Sequence, residues 1–143
     1  LDAARDRLAA RMLVPAPILC ADTVVALGSR ILGKPRDDED AARTLALLAG
    51  RSHHVLTAVA VGANGEMRLR VSVSRVSFAP IAPDRIARYV ASGEPFGKAG
   101  AYAIQSAAAT WIERIEGSYT GIMGLPLHET AALLEWAGVD VRP

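Results

Sequence analysis

The feature that most restricts this chain is a ten-residue apolar run with a carboxylate inside it. In Ile18-Leu19-Cys20-Ala21-Asp22-Thr23-Val24-Val25-Ala26-Leu27 the apolar residues fill both alternating sets. A strand of this kind is expected to be covered on both faces and to lie at the centre of a sheet. Asp22 conflicts with those surroundings, because an ionised carboxylate taken out of water without a partner is very costly. Two readings follow. Asp22 is a satisfied structural residue at a strand-turn junction, or it faces a cleft, where it holds a divalent metal or accepts a proton from water.

The rest of the pattern places helices around such a strand. Residues 1–12 read as a helix with Leu1, Ala4, Leu8 and Met12 on one side, ended by Pro15 and Pro17. Gly28-Ser29 reads as a turn and Arg30-Ile31-Leu32 as a short return strand. A helix is expected from about Asp38 to Ala49, with acidic residues in its first turn and Gly50 as its stop. Val55–Val61 and Met67–Phe78 read as strands joined at Asn64-Gly65, a strong hairpin signal. From Arg68 to Val76 the alternation is nearly strict, so one face of that strand is wet. Pro83 opens another helix, which stops at Gly93. Ala101–Gln105 and Thr110–Ile115 read as short strands. A last helix follows Pro126, with Leu127, Leu133, Leu134 and Trp136 on its buried side. The order predicts an α/β fold, a single domain around a twisted mixed β-sheet flanked by helices.

Charge and cysteine content narrow the function. Sixteen basic and 15 acidic residues among 143 leave a net charge of +1. That argues against a nucleic-acid polymer as partner but allows a small anion held by a few local cations. The single cysteine, Cys20, permits no internal disulfide and reads as a small buried hydrophobe; this fits a reducing cytoplasm. No run reaches the 18 apolar residues of a membrane span.

Several residues besides Asp22 could carry chemistry. Lys34, between Gly33 and Pro35, reads either as a solvated loop residue or as a point charge for a phosphate. His53 and His54 lack metal-ligand spacing, and His53 reads as structural or as orienting a loop. Lys98-Ala99-Gly100-Ala101-Tyr102 joins a cation to small residues that let backbone approach a ligand, and otherwise reads as a tight turn. Gln105 follows on an expected strand; its amide both donates and accepts, which suits reading a pyrimidine edge. Dinucleotide and P-loop fingerprints are absent from the sequence.

Seven segments, in order, give the chain a resemblance to the Maf-like nucleoside triphosphate pyrophosphatases. They are Ala21-Asp22-Thr23-Val24-Val25; Gly33-Lys34-Pro35; Gly50-Arg51-Ser52-His53 with Val55 and Thr57; Ser92-Gly93-Glu94-Pro95; Lys98 to Tyr102 with Ile104 and Gln105; Gly117-Ser118-Tyr119; and Gly124-Leu125-Pro126-Leu127. The resemblance implies hydrolysis of a nucleoside triphosphate to the monophosphate and pyrophosphate, with a divalent cation, Mg²⁺ or Mn²⁺. It implies that Asp22 accepts the proton of the attacking water and contacts the metal. Lys34, Lys98 and Arg7 would meet the substrate, Lys34 near the phosphates, and Thr23 and Gln105 would bear on base choice. The Asp-Thr pair with the Tyr-x-Ile-Gln run is similar to the branch acting on dTTP and UTP.

Three departures accompany the resemblance. Family members begin with a strand and a Ser-x-Ser-x-Arg-Arg loop that grips phosphate; residues 1–143 contain no such motif, so the domain is expected to be N-terminally incomplete. Gly97 stands where the family usually has Asp, and Ala103 and Ser106 replace family glycines. The absent Arg-rich loop favours an alternative, a catalytically impaired nucleotide binder or a regulator of cell division, since the family has been linked to septum formation. A homodimer is what the resemblance implies for assembly.

Overall fold

One long hairpin organises the sheet. β3 (Ser52–Ala63) and β4 (Glu66–Phe78) pair antiparallel from Ser52 opposite Ser77 to Ala63 opposite Glu66. They are joined by Asn64 and Gly65, with φ of 50° and 81°. A two-residue turn with positive φ at both positions matches the right-handed twist of its strands, and Asn-Gly adopts it at least cost. β1 (Ile18–Leu27) lies on the far side of β3 and carries β2 (Arg30–Leu32); β5 (Ile112–Glu116) forms the other edge, so the order is β2-β1-β3-β4-β5.

The computed structural model describes residues 2–11 and 16–142. Within them every strand pairing is antiparallel, which corrects the expected mixed sheet. The reason is connectivity. β2 returns along β1, and α2 (Asp38–Leu48) then carries the chain across to β3, so the two strands that run the same way flank β1 instead of pairing. The α/β class, one sheet flanked by helices, is as expected.

The central strand is β3, not β1. Among the described residues β1 has neighbours on both sides only at Val25 and Ala26; from Ile18 to Val24 it pairs with β3 alone.

The main core packs Val25, Val55, Val76 and Phe78 of the sheet with Leu45 and Leu48 of α2 and Ile86 and Val90 of α3 (Pro83–Ala91). α2 starts where expected because Asp37 caps it, its carboxylate accepting from the Asp40 N–H at 2.8 Å. α5 (Leu127–Trp136) covers Val59 and Val61 through Leu133, with Leu134 and Trp136 partly buried. Leu127, expected on that buried side, is exposed at the start of the helix.

The N-terminal helix is α1 (Asp2–Ala10), and all but one of its described side chains are exposed. Leu1, Met12 and Pro15, which entered the expectation for this helix, lie outside the described residues. Cys20, expected to be buried, is only half-buried.

The expected strand over Ala101–Gln105 does not form, and Gln105 lies in a turn. Ala101 is left-handed (φ 61°) and the chain turns again at Ile104 and Gln105, which an extended strand cannot accommodate. Ser106 then caps a 3-10 turn over Ala107–Trp111 by accepting from the Ala108 N–H, so β5 begins only at Ile112.

Candidate functional site

A cleft of about 340 Å³ opens at Ala21, Asp22, Thr23 and Val25 of β1. Asp22, Thr23, Lys34, Lys98 and Gln105 all line it, with Tyr102 and Met123. Residues far apart in sequence are brought together by one backbone bond in particular: the Gly100 N–H donates to the Gly33 carbonyl at 3.1 Å. That bond ties the loop of Lys34 to the loop of Lys98. The second loop can press close because Gly100 has no side chain; a Cβ there would stand 3.0 Å from both Val25 methyl carbons.

The two lysines are held differently. Lys34 is exposed and makes no hydrogen bond among the described residues. Lys98 is half-buried and donates to the Glu94 and Phe96 carbonyls. An ammonium has three protons, so one remains for a ligand. Asp22 is exposed, and its Oδ1 accepts from the Thr23 N–H at 3.0 Å. That bond orients the carboxylate while its second oxygen stays open among the described residues.

The floor of the cleft is polar and locked. The Thr23 and Thr57 hydroxyl oxygens are 2.8 Å apart, and the Thr57 hydroxyl donates to the Gly121 carbonyl at 2.7 Å. Gly121 belongs to α4 (Tyr119–Met123), a helix not anticipated from the sequence. Its five residues carry too little apolar periodicity to show; the usable signal was Gly117 and Gly121 flanking Ser118. The Ser118 side chain caps it by accepting from the Gly121 N–H at 3.0 Å. In the sequence Thr57 belongs to one of the family segments, and a Thr inside the apolar β3 run asks for a buried partner.

Behind the cleft, His53 Nε2 lies 2.8 Å from the Tyr102 hydroxyl, and both rings pack edge-on with Phe78. Burial, helped by neighbouring His54, pushes the His53 pKa down to about 4, and burial raises that of Tyr102. Both side chains are therefore neutral near pH 7. They set the position of the Tyr102 wall.

A resident metal cage is not built here: among the described residues no three His, Cys, Asp or Glu side chains gather. The donor set suits another kind of ion. Mg²⁺ is commonly held by one or two carboxylates with substrate phosphates and water completing its shell. An exposed carboxylate, Asp22, lining the same cleft as two lysines could hold such an ion.

Arg7 does not line the cleft; it is exposed on α1. The other five residues singled out from sequence meet there.

The family described as Maf-like protein matches residues 2–137. This chain belongs to it. Among its relatives, a dTTP/UTP pyrophosphatase from a Polaromonas species is 58% identical over 142 residues, covering 99% of this chain and 70% of that protein. A dTTP/UTP pyrophosphatase from Cupriavidus metallidurans is 59% identical over 138 residues, 96% of this chain and 69% of the relative. One from Burkholderia pseudomallei is 62% identical over 139 residues, 96% of this chain and 66% of the relative. No described helix is long and apolar enough to cross a membrane.

Proposed function

We propose that the cleft hydrolyses nucleoside triphosphates, dTTP and UTP foremost, to the monophosphate and pyrophosphate. The observation that carries this reading is the gathering of Asp22, Thr23, Lys34, Lys98 and Gln105 around one space. Its volume falls within the range of small-molecule sites, roughly 300–1,000 Å³. The names of the relatives supply the substrate class; the alternative of binding without hydrolysis gains nothing from them.

Each residue has a task in this reading. Lys34 and the free proton of Lys98 neutralise phosphate charge, which matters most where charge spreads over several oxygens. Asp22 accepts a proton from water as its oxygen bonds to phosphorus and the α–β anhydride bond breaks, releasing pyrophosphate. A divalent cation at Asp22 would add Lewis acidity and charge neutralisation. Thr23 and Gln105 face the base. No covalent intermediate is needed.

The test is incubation with dTTP or UTP and Mg²⁺ or Mn²⁺, with dTMP or UMP and pyrophosphate as the readout. Asp22→Asn should slow turnover by roughly 10²–10⁴-fold, and chelation should stop it. Turnover untouched by Asp22→Asn would overturn the role given to that carboxylate.

A further inference from the structure

We propose that Thr57 is a positioning residue that fixes the proton of Thr23 and so makes the cleft prefer a pyrimidine ring bearing an N3–H. The idea rests on the cleft being the nucleotide site of the preceding section. It adds how uracil and thymine are told from cytosine.

The argument is proton counting. Thr57 stands directly opposite Thr23 in the β1–β3 pairing and is fully buried. Its oxygen is 2.7 Å from the Gly121 carbonyl and 2.8 Å from the Thr23 hydroxyl. A carbonyl oxygen only accepts, and a hydroxyl owns one proton. Thr57 therefore gives its proton to Gly121, and its oxygen accepts the proton of Thr23. Thr23 then meets a ligand with lone pairs alone.

Gln105 cannot make the same choice. Its amide carries both a donor and an acceptor and can turn to present either. Selectivity between two bases of similar shape needs a group of fixed polarity, because an unpaired or mismatched buried polar group is what costs most. Uracil and thymine present a donor at N3; cytosine presents a lone pair there. A hydroxyl held as an acceptor attracts the first and repels the second. The anchor is firm, because the Gly121 carbonyl also accepts from the Gly124 N–H at 3.1 Å and so is set by the end of α4.

The experiment compares kcat/KM for UTP and CTP in the unaltered protein, Thr57→Val and Thr57→Ser, with thermal melting to confirm folding. The unaltered protein should favour UTP. Thr57→Val frees the Thr23 hydroxyl to rotate, so the UTP:CTP ratio should fall about tenfold, with KM rising for UTP and falling for CTP. Thr57→Ser keeps the proton order and should keep the ratio. A purely structural role would slow both nucleotides together; an unchanged ratio in folded Thr57→Val overturns the proposal. Should Thr57→Val fail to fold, calorimetric binding of UMP and CMP to the unaltered protein decides: preference for UMP supports the relay, equal binding overturns it. Binding of UMP over CMP without hydrolysis of any triphosphate would sink the hydrolytic reading and leave the relay standing. Equal hydrolysis of UTP and CTP would do the reverse.

Discussion

The two faces of β4 are built from the same strand and behave in opposite ways. On one, Met67, Leu69, Val71 and Val73 are between 49% and 59% exposed. On the other, Ser72 and Ser74 are buried, followed by Val76 and Phe78. Polarity alone would assign the valines inward and the serines outward. Close approach explains the reversal. Ser74 both donates to the Ser118 carbonyl and accepts from its N–H, clamping the start of α4 onto the sheet. The contact is so tight that a Cβ on Gly117 would lie 2.8 Å from the Ser74 oxygen, and one on Gly121 2.8 Å from the Ser72 oxygen. Valines there would hold α4 away, and the Gly121 carbonyl could not reach Thr57. Small polar residues are buried on this face because the cleft needs a helix end close to the strands.

The contrast can be broken most severely at Gly117. Its φ is 109°, and an added methyl would also sit 3.0 Å from the Val73 carbonyl. Gly117→Ala should cost roughly 3 kcal/mol or more, from backbone strain and overpacking together; a denaturant midpoint unchanged from the unaltered protein would contradict the tight contact.

Acid should act on the same closed face through His53. Unfolded, its ring titrates near 6.5; folded, only at about 4. Between those values the unfolded chain binds the extra proton, so stability is lost as pH falls from about 6.5 to about 4. The loss attributable to this ring approaches ~3 kcal/mol. His53→Gln should flatten that part of a melting-temperature profile.

Ser74→Ala sharpens the comparison further. It leaves the Ser118 N–H and carbonyl without their partner and should cost roughly 1–3 kcal/mol, read by the same melts. The smallest effect belongs to the open face: Val73→Thr should stay within about 0.5 kcal/mol. A large loss there would mean that the two faces are not distinct.

Five of the six cleft residues expected from sequence share one space. Asp22, the two lysines and Gln105 stood out locally, as a carboxylate in an apolar run, lysines beside glycines and an amide beside small residues, whereas Thr23 entered only through the family resemblance. Arg7, which entered only through the resemblance, is exposed on α1 and does not line the cleft. The role of Thr57 was illegible for a different reason. It depends on a carbonyl 64 residues away, and no local pattern encodes that meeting.

The hairpin at Asn64-Gly65, the helix starts at Asp37 and Pro83, and the apolar strands were determined by the sequence itself, because dihedral preference, capping and alternation act over a few residues. The antiparallel order, the open edge at Asp22 and the direction of each hydroxyl proton were decided only by the tertiary structure. Those follow from which surfaces can approach closely enough to share hydrogen bonds, and distance in space is not written in distance along the chain.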